Sequence, residues 1–164
     1  MDKLISKKNY FLGYWCKYRN ILNLCSNKKK NIKIYSFEPS TSNLRTLSRN
    51  ISINKLQKKI HIIPFALSNL KNKILLFKES RFIEGGALSA FGVDYDFSGK
   101  KIFSENSYNT FGTSLDNLIE KKILDLPDYI KIDVDGIEHL ILFGAKNLLS
   151  NKKLKSVLIE INDE

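Results

Sequence analysis

Hydrophobic residues along this chain follow two rhythms, short β-rich runs and helical stripes. Ile32 to Phe37 is the clearest run, built of isoleucine and aromatic residues around Lys33 and Ser36. Glu38-Pro39-Ser40 stops it, since proline breaks a strand ladder and is suited to opening a helix. Thr41 to Ile53 then predicts a helix with Leu44, Leu47 and Ile51 inward. Ile60 to Phe65 reads as a second strand, followed by Ala66-Leu67-Ser68-Asn69. Lys73 to Phe77 reads as a third, short and at an edge. Thr113 begins a short helix running to about Lys122, and Tyr129 to Asp133 is a further strand. After the Asp133-Val134-Asp135-Gly136 turn, Ile137, Leu140, Ile141, Gly144, Ala145, Leu148 and Leu149 fall on one helical stripe. Ser156 to Ile161, which contains Glu160, reads as the last strand. At the other end of the chain, Phe11, Tyr14, Trp15, Tyr18, Ile21, Leu22 and Cys25 predict an amphipathic helix over Lys8 to Ser26. It is read as a core-packing helix or, because aromatic and basic residues mix, as an interfacial membrane helix. The alternation of strands and helices predicts an α/β domain with a parallel sheet.

The pattern lapses between Lys78 and Asn109, where Gly85-Gly86, Gly92 and Gly99 punctuate a stretch rich in aromatics. It reads as a long loop, either a lid over a site or an insertion. Gly85-Gly86 lacks the flanking strand and helix of a phosphate loop.

Composition changes this picture little. The 164 residues suit one domain, and 43% hydrophobic with 27% charged residues is ordinary for a globular protein. A net charge of +10 permits contact with nucleic acid, but lysines are scattered or sit in loop-like tracts such as Lys28-Lys29-Lys30. No nucleic acid partner is therefore expected. The two cysteines, Cys16 and Cys25, form no metal-ligand pattern, and no apolar run is long enough to span a membrane. A cytoplasmic protein is the simplest expectation.

Two carboxylates stand where parallel sheets bind ligands, at the carboxyl ends of strands. Glu38 directly follows the Ile32–Phe37 run, the place from which an acidic residue takes both ribose hydroxyls in nucleotide-binding folds. As a lone residue it is equally a solvated strand end. Asp133 lies in the acidic turn, where Asp135 could also simply start the helix. The turn fails as a calcium loop, because Gly136 comes two places early and Ile137 stands where an acid or amide is needed. No metal is expected. His61 falls in a strand and His139 on a helix, and each is more simply structural or exposed than catalytic; His139, next to the acidic turn, is the better catalytic candidate of the two.

Four segments taken together resemble the FkbM family of S-adenosylmethionine-dependent methyltransferases. They are Ile34-Tyr35-Ser36-Phe37-Glu38-Pro39-Ser40, Pro64-Phe65-Ala66-Leu67-Ser68, Thr113-Ser114-Leu115-Asp116 and Ile130-Lys131-Ile132-Asp133-Val134-Asp135-Gly136-Ile137-Glu138. Leu142-Phe143-Gly144-Ala145 and Leu158-Ile159-Glu160-Ile161 fit too. The resemblance covers residues 32–164 and sets residues 1–31 apart as a helix and basic loop. It implies a Rossmann-like methyltransferase fold, a three-layer sandwich with a mostly parallel sheet. The implied cofactor is S-adenosyl-L-methionine, and the implied activity is O-methylation of a small-molecule or sugar acceptor. By the same resemblance Glu38 holds the cofactor ribose, Ala66 and Leu67 line the adenine pocket, and Asp133 lies near the methionine end or the acceptor. Asp133, or else His139, would then serve as base or orienter.

The family opens with a strand running into an Asp-x-Gly-x-Asn-x-Gly turn, and nothing here supplies it; Gly13 is its one candidate remnant. The reading is therefore of a domain missing its first strand, which would have lain between those at Ile32 and Ile130. Two functions remain open on that basis, a methyltransferase and a non-catalytic remnant of the same fold that acts as a binding module. A nucleic-acid methyltransferase would need an Asn/Asp-Pro-Pro-Tyr motif or a basic stripe, and neither is present.

Overall fold

The computed structural model describes residues 9–14, 32–86, 88–96, 98–134 and 136–160, the first of these segments by its backbone alone. Strands β1 (Asn9–Tyr14), β2 (Ile32–Phe37), β3 (Ile60–Ile63), β8 (Tyr129–Ile132) and β9 (Ser156–Ile159) form one sheet in the order β3-β2-β1-β8-β9. Every pairing in it is parallel. Numbered along the chain within this sheet, the order is 3-2-1-4-5, so its direction reverses at β1.

The first strand is therefore present, which corrects the expectation of its loss. It fills the central gap foreseen for it, with Gly13 opposite Ser36 on one side and Lys131 on the other. Residues 9–14 are also not helical, and the rest of the predicted helix lies outside the described residues. Over residues 9–14 the helical stripe misled because its members there, Phe11 and Tyr14, are aromatic, and aromatic residues suit strands equally well. Gly13 disfavours a helix interior, and β2 and β8 both need a backbone partner.

Strand β2 is buried on both faces, as parallel strands are. Tyr35 and Phe37 join Ile130 and Ile132 in the larger core. Ile34 faces the other way and packs with Leu47, Ile51 and Ile60 under helix α1 (Thr41–Ile53). Ser40 caps α1, its hydroxyl accepting from Asn43 N–H at 3.2 Å.

A second sheet lies within what the sequence suggested was mostly loop. Strands β4 (Ala66–Leu67), β5 (Lys73–Glu79), β6 (Ser89–Phe91) and β7 (Asn106–Thr113) run in the order β4-β7-β5-β6. β5 is antiparallel to both β6 and β7, whereas β4 runs parallel to β7. Lys73 to Glu79 is thus an inner strand of this sheet, not an edge, and residues 78–109 are largely pairing strands and their connections.

Helix α2 (Leu115–Glu120) is capped by the Ser114 hydroxyl. The predicted Ile137–Leu149 helix is broken into α3 (Glu138–Phe143) and α4 (Lys146–Leu149) around Gly144-Ala145. The break is a joint between three distant segments. A Cβ on Gly144 would sit 2.1 Å from the Ser68 carbonyl oxygen, so only glycine fits there. The Gly144 carbonyl accepts from Asp116 N–H at 3.0 Å. In return the Asp116 carboxylate accepts the Asn147 and Leu148 N–H groups, each at 2.9 Å, and so caps α4 from outside.

Candidate functional site

The order in which strands are added reverses at β1, and ligands of open parallel sheets sit at the carboxyl edge beside such a switch point. Glu38 and Asp133 stand there, each one residue past the end of β2 and β8, the two neighbours of β1. Two strand spacings separate their backbones by about 10 Å. Glu160 stands one residue past β9 on the same edge but is exposed.

Glu38 is 5% exposed. Its Oε1 accepts from Ser40 N–H at 2.9 Å, and its own N–H donates to the Ile63 carbonyl at 3.1 Å. The proline turn therefore does more than end the strand: it bends Ser40 back to aim the carboxylate. Tyr108 on β7 completes this turn by donating to the Pro39 carbonyl and accepting from Thr41 N–H, both at 3.1 Å. Beside it, Gly85 N–H donates to Asn43 Oδ1 at 2.8 Å and the Ser42 hydroxyl to the Ile83 carbonyl at 3.3 Å. The segment after β5 is thereby held against the start of α1.

Asp133 is 6% exposed, and its Oδ2 lies 2.5 Å from the Nζ of Lys131, itself 7% exposed. Residues two apart on a strand project from one face, so β8 carries both ends of this ion pair. Lys131 shares its row with Gly13 and, one strand further, Ser36. The sequence reading passed over Lys131; its signal was the Lys-x-Asp spacing at the end of a strand.

The other predicted site residues are placed differently. Ala66 and Leu67 are 0% and 1% exposed and belong to the core, their backbones paired with Gly112 and Thr113. His139 is exposed on α3, its ring stacked on Tyr95 at 6.5 Å and edge-on to Phe143 at 6.3 Å. Its ring contacts are with that surface and not with Asp133. Glu138 is half-buried, and burial raises its carboxyl above the ordinary glutamate range while the Gly136 N–H, at 3.3 Å, works in the opposite sense. Among the described residues no group of three or more acidic, histidine or cysteine side chains is placed to hold a metal ion. No described helix is long and apolar enough to cross a membrane. A cleft of about 500 Å³ lined by Asp116, Glu120, Leu126 and Asn147 lies between α2 and α4. Its Asp116 is already used as the cap of α4.

A buried, oriented carboxylate after the second strand of a 3-2-1-4-5 parallel sheet fits a nucleoside ribose, which needs a fixed acceptor. The chain is thus a mixed α/β protein whose parallel sheet carries buried carboxylates at its carboxyl edge. The family is settled by the profile described as the methyltransferase FkbM domain, which matches residues 7–164. The chain belongs to that family, and the match takes in β1, which the sequence reading had left outside. Neither the curated proteins nor the solved structures compared with the chain gave a match.

Proposed function

We propose that this chain is a methyltransferase that binds S-adenosyl-L-methionine at the carboxyl edge of a Rossmann-like sheet and acts on an oxygen of a small molecule or sugar. The observation that carries this reading is Glu38, buried and aimed by Ser40 at the end of β2 in a chain of the FkbM family. When bound, the cofactor supplies a methyl group already activated by its sulfonium. Glu38 accepts hydrogen bonds from the ribose hydroxyls. Asp133, held by Lys131, orients the acceptor hydroxyl and receives its proton. Positioning carries most of the rate. Ala66 and Leu67 are packed in the core and offer the adenine ring no accessible surface. His139 is the lesser candidate for base, because Tyr95 and Phe143 occupy its ring. A cytoplasmic setting suits a small-molecule acceptor.

A second reading has its own observation. After Gly13 the chain has no glycine until Gly85, so side chains follow β1 where the family's turn has bare backbone. On that reading the fold is kept as a non-catalytic binding module. Calorimetric titration with S-adenosylhomocysteine, beside Glu38→Ala, separates the two. Micromolar binding that the variant loses supports the methyltransferase. Absence of binding by protein that circular dichroism shows to be folded supports the module.

A further inference from the structure

We propose that Tyr108 is a positioning residue for the nucleoside site, fixing the Glu38 turn so that the second sheet sets how strongly the first discriminates for a ribose. The inference rests on the reading of Glu38 given above.

One hydroxyl holds the turn at two points. It donates to the Pro39 carbonyl and accepts from Thr41 N–H, which bracket Ser40, the residue that aims Glu38. Thr41 is the first residue of α1, so its N–H has no partner within the helix and must find one outside. Tyr108 arrives from β7, nearly 70 residues away in sequence, so the contact ties the two sheets together. The ring cannot easily move aside, because it packs at 5.6 Å against Phe77, which is 2% exposed on β5. Burial raises the hydroxyl above the ordinary tyrosine range, and Glu79 and Glu38 add to that rise. It therefore stays protonated at working pH and can donate and accept together. Phenylalanine would keep the ring and the packing but release both hydroxyl contacts, loosening the turn through which Ser40 aims Glu38.

The test is calorimetry with S-adenosylhomocysteine and its 2′,3′-dideoxy analogue, on the wild type, Glu38→Gln and Tyr108→Phe. Tyr108→Phe should bind S-adenosylhomocysteine about tenfold more weakly, the worth of one well-placed hydrogen bond to a charged group, and bind the dideoxy analogue as the wild type does. A merely structural role would weaken both ligands equally, and that result overturns the proposal. So does unchanged discrimination in Tyr108→Phe when binding by the wild type depends on Glu38. Absence of binding by the wild type overturns the cofactor reading and this inference together. Thr41→Pro is the second variant should Tyr108→Phe fail to fold. It removes the N–H at the other end of the contact, at a helix position that proline tolerates and after a residue already extended, with φ −71° and ψ 124°. It should show the same loss of discrimination.

Discussion

Replacing Lys131 with methionine removes the partner of Asp133 and leaves the hydrocarbon stem largely intact. The two side chains are each 9% exposed, and Nζ lies 2.5 Å from Oδ2. At an effective dielectric constant near 20, that separation gives an attraction of about 7 kcal/mol, which the cost of drying both ions largely offsets. The pair as a whole therefore contributes little net stability, but breaking it from one side is expensive. Lys131→Met strands a buried carboxylate and should cost about 3–5 kcal/mol. Against a domain stability of about 5–15 kcal/mol, that is a large fraction. For a chain of this size it lowers Tm by about 6–20 °C. Lys131→Met with Asp133→Leu removes both charges and should recover most of the loss. Urea unfolding followed by circular dichroism measures all of this, provided the m value is unchanged between variants. A single variant that loses less than about 1 kcal/mol, or a double variant no more stable than the single, would refute the reasoning.

Three further outcomes are expected. Gly144→Ala drives a methyl group into the Ser68 carbonyl and should cost about 1–3 kcal/mol in urea unfolding; an unchanged midpoint would mean that the joint yields freely. Asp116→Ala leaves the Asn147 and Leu148 N–H groups uncapped and should cost about 1–2 kcal/mol by the same assay, and a loss within error would deny the cap its role. Glu138→Gln tests a pH dependence. The folded-state pKa of Glu138 is raised by burial, so between the ordinary value of 4.5 and the raised one the folded state binds more protons than the unfolded. Its penalty is present above the raised pKa and disappears as pH falls through it towards 4.5. Glu138→Gln should thus be the more stable protein at neutral pH and lose that advantage in acid; an advantage that grew in acid would contradict the sign.

Local signals made parts of the fold legible. The bounds of β2 and α1, Ile32–Phe37 and Thr41–Ile53, follow from the sequence because Pro39 and the Ser40 cap act on their immediate neighbours. β1 was not legible, since a six-residue run with three aromatics satisfies helical and strand patterns alike, and what decides is the backbone demand of β2 and β8 on either side. The second sheet was missed for a different reason. β7 alternates half-buried Tyr108 and Thr110 with exposed Ser107, Asn109 and Phe111, a faint period of two, and its partner β5 lies about thirty residues earlier. The positions of Glu38 and Asp133 past the ends of β2 and β8 were legible in the sequence. Lys131 could have been found from its spacing to Asp133. Tyr108 could not, since nothing near it in sequence refers to the Glu38 turn.

The segments that reveal the family divide by what they do. Ser68, the Thr113–Asp116 segment and Gly144 meet at one joint, through the Asp116 cap and the close approach of Gly144 to Ser68. Their chemistry is spent on hydrogen bonds and on space, so matching them speaks for the frame. Glu38, Asp133 and Lys131 stand at the open edge of that frame, and their burial must be repaid by partners or by a ligand. Ser40 and Tyr108 direct the Glu38 turn, and Lys131 answers Asp133. A fold kept for its frame alone would have no need to aim a carboxylate past the end of β2. For that reason the response of ligand affinity to Glu38 and Tyr108, more than the family match, decides whether the edge still works.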